Sequence, residues 1–136
     1  MTPGTTAGVL VVEDSDEDFD TAADAAARLQ LPYPLVRVPT AEDGLAALLS
    51  GQSFRLVILD NSLPGDQGDV FLSAFRRHPM HCRVPVVAFT ASGRQPERDA
   101  LHAAGVNAFH VKTVSYEDNL STLEMIFNYW LRAVAD

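Results

Sequence analysis

Four apolar runs in this chain end in side chains that can carry charge or hydrogen-bond an anion. The first run ends Val12-Glu13-Asp14, and the run Leu56–Leu59 ends at Asp60. Val84–Phe89 leads into Thr90-Ala91, and Ala108–Val111 into Lys112. Runs of this length bounded by turn residues read as strands buried on both faces. In an open parallel sheet the carboxyl ends of the strands lie at one edge, where ligands bind. Three carboxylates, a hydroxyl and an ammonium would then share one cleft. The carboxylates repel one another, which raises their pKa values. A hard divalent cation relieves that repulsion, and Mg²⁺ suits because it takes one or two carboxylates plus waters and phosphoryl oxygens. A carboxylate beside Mg²⁺, Lys112 and Thr90 is equipped to attack a phosphoryl group and form an aspartyl phosphate.

Positioning these side chains takes five strand–helix units. Gly8–Glu13 is a strand, and Asp16–Gln30 is a helix with Phe19, Ala22, Ala23, Ala26 and Leu29 at helical spacing. Leu35–Val38 is a short strand between prolines, and Thr40 caps a helix that runs through Ser50 to Gly51. Phe54–Leu59 is a strand, Asp69–Arg77 a helix stopped by Pro79, and Val84–Phe89 a strand. Gln95–Ala104 is a helix closed by Gly105, Ala108–Val111 the last strand, and Tyr116–Val134 a long final helix. Strict alternation predicts an α/β protein, a parallel sheet with helices on both faces. Short right-handed crossovers make it a flavodoxin-like (βα)5 fold, a doubly wound five-stranded parallel sheet in the order 2-1-3-4-5. Residues 1–7, rich in Thr, Pro and Gly, form a loose tail.

The 136 residues suffice for one domain with one core, and 47% apolar content excludes a disordered chain. A net charge of −8 argues against nucleic acid, which needs a basic face. There is no apolar run long enough to span a membrane, and no signal-peptide pattern at the N-terminus. Cys82 is the single cysteine, so no internal disulfide can form. A cytoplasmic location is expected.

These residues resemble a response-regulator receiver domain. The resemblance rests on the acidic pair Glu13-Asp14, on Asp60, on Pro64 and Gly68 beyond it, on Thr90-Ala91 and on Lys112, in order and at the family's separations. It covers the chain from Gly8 to the final helix and implies a receiver domain over residues 8–136. It implies that Asp60 is the phosphoacceptor, and that Glu13, Asp14, Asp60 and the backbone carbonyl of Ser62 hold Mg²⁺. It also implies that Thr90 and Lys112 report phosphorylation and that Phe109 is the family's aromatic switch. The segments VVEDSDED, RVPVVAFTAS and Phe127–Leu131 further resemble the single-domain regulators paired with bacterial phytochrome histidine kinases.

Two positions depart from the usual receiver. Thr113 follows Lys112 where many receivers have a proline with a cis peptide. A non-proline cis bond costs about 3 kcal/mol, so a trans bond is expected. Asn61 stands after Asp60 where an apolar residue is common, and Ser62 and Ser92 flank the family's path for hydrolytic water.

Plainer readings compete at several positions. Asp16, Glu17, Asp18 and Asp20 favour the positive end of the first helix. The four histidines read as surface or loop residues, without the paired spacing of a zinc site. In the final helix Tyr116, Leu120, Leu123, Phe127, Trp130 and Val134 form a stripe that can pack on the sheet. Met125, Ile126, Tyr129 and Leu131 lie beside or behind it. They are either scattered exposed apolar residues or part of a homodimer interface with Tyr116, Leu123, Ile126, Phe127, Tyr129 and Trp130. The narrower resemblance favours the dimer.

The expected function is therefore a stand-alone phosphoacceptor in a two-component phosphorelay. Its partners would be a sensor histidine kinase, such as a bacteriophytochrome, and a downstream phosphotransfer or target protein. With no output domain after the fifth helix, signalling by docking is expected. An aspartyl-phosphate phosphatase would need an Asp where Ser62 stands. A flavin module would not place Asp14–Asp18 against a phosphate. A docking-only pseudo-receiver would not need the full acidic and Thr/Lys set.

Overall fold

The structure, a computed structural model, describes residues 7–60, 68–79 and 81–133. The elements run β1 (Gly8–Val12), α1 (Asp16–Arg28), β2 (Leu35–Val38), α2 (Ala41–Leu49), β3 (Phe54–Leu59) and α3 (Gly68–Arg77). They continue with β4 (Val86–Thr90), α4 (Gln95–Ala104), β5 (Ala108–Val111) and α5 (Tyr116–Asn128), and a π-helical turn (Tyr129–Ala133) follows. The five strands form one parallel sheet in the order β2-β1-β3-β4-β5, the expected flavodoxin-like arrangement. Asn61, Ser62 and Pro64, which the sequence placed in the turn after Asp60, lie outside the described residues, as does most of the N-terminal tail. Among the described residues, no helix is long and apolar enough to cross a membrane.

Successive residues on a strand point to opposite faces, and this sheet buries both. Leu10, Val12, Val57, Leu59, Val86 and Ala88 meet α2, α3 and α4 through Ala41, Phe71, Leu72, Phe75 and Leu101. Val9, Val11, Leu56, Ile58, Val87 and Phe89 meet α1 and α5 through Ala22, Ala25, Leu120, Leu123, Ile126 and Phe127. Two helices approach closely at Gly44, where a Cβ would stand 2.7 Å from Phe71 Cε1.

Some expected details change. Helix α1 ends at Arg28, before the expected Gln30. Gln30 has φ 51°, and its N–H and that of Leu31 close back onto Ala27 and Ala26. This is a left-handed helix stop made without glycine. The π-helical turn adds a residue and shifts the phase of the last helix. Leu131 is therefore buried and Trp130 only partly so. Before the turn, in the regular helix, Ile126 joins the core and Tyr116 stays outside. Three residues expected at a dimer interface, Leu123, Ile126 and Phe127, are at most 1% exposed within the chain's own core. They have no surface left for a second copy, so Tyr116, Tyr129 and Trp130 are the expected interface residues that remain accessible. His81 is also corrected. It is buried, with its ring 5.1 Å from Phe75 and 5.8 Å from Phe54, because the turn after α3 folds it into the core.

Candidate functional site

The carboxyl ends of β1, β3, β4 and β5 meet at one edge, tied by backbone bonds that continue the ladders. The Asp60 N–H donates to Val12 O at 3.1 Å, and the Lys112 N–H to Thr90 O at 2.8 Å. Glu13 N–H donates to Val38 O at 2.9 Å. Glu13, Asp60 and Thr90 thus sit at the ends of buried strands, and Lys112 follows the half-buried edge strand β5, all on backbone the sheet fixes.

Lys112 is the centre of the cleft. Its Nζ lies 2.6 Å from Glu13 Oε1, 2.7 Å from Asp18 Oδ2 and 3.0 Å from Asp60 Oδ2. The Lys112, Glu13 and Asp60 side chains are each 8% exposed or less, and that of Asp18 is 39% exposed. One ammonium is divided among three carboxylates, so the cluster carries excess negative charge. Burial pushes the Glu13 carboxyl up to about 7 from 4.5, against the pull of Lys112 and with the Asp60 charge adding to the rise. Burial also acts to lower the Lys112 pKa, but its bonds to Asp18 and Glu13 and the nearby charges carry it above its ordinary value. The ammonium is held charged, while Glu13 competes for too little positive charge.

Asp18 reaches the cluster because its other task is taken. Ser15 caps α1, and its Oγ accepts from the Asp18 N–H at 3.2 Å. A carboxylate at this position commonly reaches back to the cap's own N–H. Here Glu13 Oε2 accepts that N–H at 3.1 Å instead, and Asp18 turns to Lys112. Arg37 braces the same corner, donating through Nε to Glu13 O and through a terminal nitrogen to Asp16 Oδ1.

The other expected residues fall in different places. Asp14 is exposed. The carboxylates whose oxygens come within 4.8 Å of one another are Glu13, Asp18 and Asp60. Among the described residues, this all-carboxylate set fits a hard divalent cation. Thr90 is fully buried at the end of β4, and its hydroxyl has no hydrogen-bond partner among the described residues. Such a group is uncommon and costs roughly 1–3 kcal/mol unless something arrives to pair with it. Phe109 is half-buried, with the Arg98 guanidinium 4.8 Å from its ring centre. Arg98 also donates to Gly93 O at 3.0 Å, linking the loop after β4 to the aromatic on β5. The Lys112–Thr113 peptide is trans, as expected. Asp18, Arg98 and Asn119, which binds Thr113, were not singled out by the sequence.

A model of the response regulator receiver domain matches residues 9–124, and the chain belongs to that family. It is 32% identical over 131 residues to a probable methanogenesis regulatory protein, FilR2, of Methanothrix harundinacea, covering 90% of this chain and 83% of that one. It is 27% identical over 135 residues to the response regulator Rcp1 of Synechocystis, covering 93% and 90%. The Mn²⁺-bound structure of Rcp1 superposes with a TM-score of 0.82 at 24% identity, over 93% of this chain and 95% of that one. The phosphorylated cyanobacterial phytochrome response regulator RcpA superposes with a TM-score of 0.87 at 22% identity, over 95% and 96%. The chain is thus a two-component receiver domain with phytochrome-associated homologues.

Proposed function

We propose that this receiver takes a phosphoryl group on Asp60 from the phosphohistidine of a sensor histidine kinase, a bacteriophytochrome in the reading that the likeness to the phytochrome response regulator RcpA supports. The observation that carries the proposal is the pairing at the sheet edge. Asp60 is buried beside Lys112 Nζ at 3.0 Å, and the buried Thr90 hydroxyl lacks a partner among the described residues. An Asp60 oxygen attacks phosphorus as the bond from phosphorus to the imidazole nitrogen breaks. That nitrogen keeps the electron pair and takes a proton from solvent. Lys112 neutralises charge on the phosphoryl oxygens, and Thr90 donates a hydrogen bond to one of them.

Glu13, Asp14, Asp60 and the Ser62 carbonyl would hold Mg²⁺, which supplies the positive charge that lets two anions approach. The structure's carboxylate set of Glu13, Asp18 and Asp60 supports a divalent cation at this place. Movement of Thr90 toward the phosphoryl group would free space for Phe109 to turn inward. The change would pass to the face of α4, β5 and α5. Tyr116, Tyr129 and Trp130 are the residues we assign to a homodimer through the final helix. The protein acts in the cytoplasm as a docking regulator that catalyses only its own phosphorylation and dephosphorylation.

The test is acid-labile labelling with acetyl phosphate and Mg²⁺. Asp60→Asn is expected to abolish it, and full labelling of that variant would overturn the proposal.

A further inference from the structure

Beyond Lys112 the sheet no longer binds the chain. The Lys112 N–H makes the last ladder bond, to Thr90 O, and the next residue has no strand beside it. One side chain takes over both backbone groups of that residue. Asn119 Oδ1 accepts from the Thr113 N–H at 2.8 Å, and Asn119 Nδ2 donates to Thr113 O at 2.9 Å. The Thr113 hydroxyl lies 3.2 Å from the same Oδ1 and accepts from the Ser115 N–H at 3.1 Å. Asn119 is itself fixed, since its N–H donates to Ser115 O at 3.1 Å and the next residue, Leu120, is buried in the core.

We propose that Asn119 is a positioning residue for phosphoryl transfer, clasping the Thr113 peptide groups so that Lys112 stays aimed at Asp60. The inference rests on the phosphoacceptor reading above. The chemistry of the clasp is selective. A neutral amide offers one donor and one acceptor, as a neighbouring strand would. A carboxylate would face the Thr113 carbonyl with a second acceptor and add charge to an already acidic cleft. The need for a clasp follows from Lys112 itself. A lysine side chain is flexible, on a stem of four carbons. Three carboxylates pull on its ammonium, and Asp18 is the most exposed of them. With the backbone pinned on both sides, by Thr90 before and Asn119 after, the ammonium's reach is limited to the cluster that contains Asp60.

The experiment measures the phosphorylation rate with acetyl phosphate at saturating Mg²⁺ for the wild-type chain, Asn119→Ala, Asn119→Leu, Lys112→Ala and the double variant Lys112→Ala/Asn119→Ala. Asn119→Leu keeps the side chain's size and favours helix, so it guards against loss of fold. Both single Asn119 variants are expected to lose about tenfold in rate, as misplacement of a reacting group does, with the Mg²⁺ dissociation constant changed less than twofold. The Thr113 amide is expected to lose protection from hydrogen exchange. In the Lys112→Ala background the Asn119 substitution is expected to cost nothing further, because it acts through that lysine. Wild-type rates in folded Asn119 variants, or an equal further loss without Lys112, would overturn the proposal. If the wild-type chain takes up no acid-labile phosphate, the reading of Asp60 fails instead, and exchange at the Thr113 amide still tests the clasp.

Discussion

Lys112 and Arg76 are partly buried cations at opposite ends of the sheet, and they are held differently. At the carboxyl end Lys112 faces three carboxylates. At the opposite end the hydrogen-bond acceptors of Arg76 among the described residues are neutral oxygens. Its guanidinium donates twice to Gly105 O, at 3.1 and 2.9 Å, and also to Val84 O, Cys82 O and Asn107 Oδ1. Asn107 Oδ1 in turn accepts from the Val86 N–H at 2.8 Å, so the network joins α3 to the start of β4 and to the chain leaving α4. Burial holds the Arg76 pKa below its ordinary value, with no carboxylate among those hydrogen-bond acceptors to oppose it. The Arg76 end is a completed cage of dipoles that bolts elements together. At the Lys112 end one ammonium is shared by three carboxylates, a set whose chemistry fits a divalent cation.

The largest expected effect tests whether the two roles separate. Lys112→Met is expected to slow phosphorylation by acetyl phosphate about 100-fold, as loss of one charge-stabilising donor does. Arg76→Met is expected to leave the rate per folded molecule within twofold but to cost about 2–3 kcal/mol in urea denaturation, from the lost charged hydrogen bonds. Comparable rate losses in both variants would erase the distinction.

Next comes pH. Glu13 keeps its proton in the folded chain up to about pH 7, from an ordinary value of 4.5. Between those values the folded state binds more protons than the unfolded one. This contribution to stability is therefore complete below about 4.5 and is lost as pH rises through 7. Melting temperatures in EDTA are expected to reveal this decline, Glu13→Gln to flatten it, and Mg²⁺ to offset it by favouring the ionised carboxylate. A wild-type decline that Glu13→Gln leaves unchanged would place the titration elsewhere.

A smaller effect distinguishes the two carboxylates that flank the site. Asp18→Asn is expected to cost about 0.5–1 kcal/mol of metal-free stability through loss of its ion pair with Lys112, with Mg²⁺ affinity changed less than threefold. Asp14→Asn is expected to weaken Mg²⁺ binding at least tenfold, and the reverse ranking by calorimetric titration would move Asp18 into the metal set. The smallest effect lies away from both ends. Gln30→Gly, at φ 51°, is expected to add about 0.5–1 kcal/mol by removing left-handed strain.

Sequence reasoning succeeded where one residue's place follows from its neighbours along the chain. Strand β3, from Phe54 to Leu59, is bounded as expected, because a buried run stops where the chain turns polar. Glu13, Asp60, Thr90 and Lys112 are brought to one edge for the same reason. Other features depended on side-chain partners. Asp18 reaches Lys112, 94 residues away in sequence, while Glu13 takes the Ser15 N–H; Asn119 meets Thr113 locally, through a side-chain bond that apolar periodicity does not register. His81 enters the core through a turn whose fold no local periodicity announces. At the end of the final helix Leu131 rather than Trp130 is buried, since a period of 3.6 does not foresee a π-helical turn.

That same turn gives the molecule an optical handle. Trp130 is the single tryptophan. The turn leaves it half-exposed, edge-on to Tyr129 at 4.9 Å, at the rim of a groove of about 200 Å³ shared with Ala108, His110 and Met125. Its emission therefore reports the polarity of one patch on the α5 face with no added label. Whatever covers that patch will register as a colour shift in a single indole.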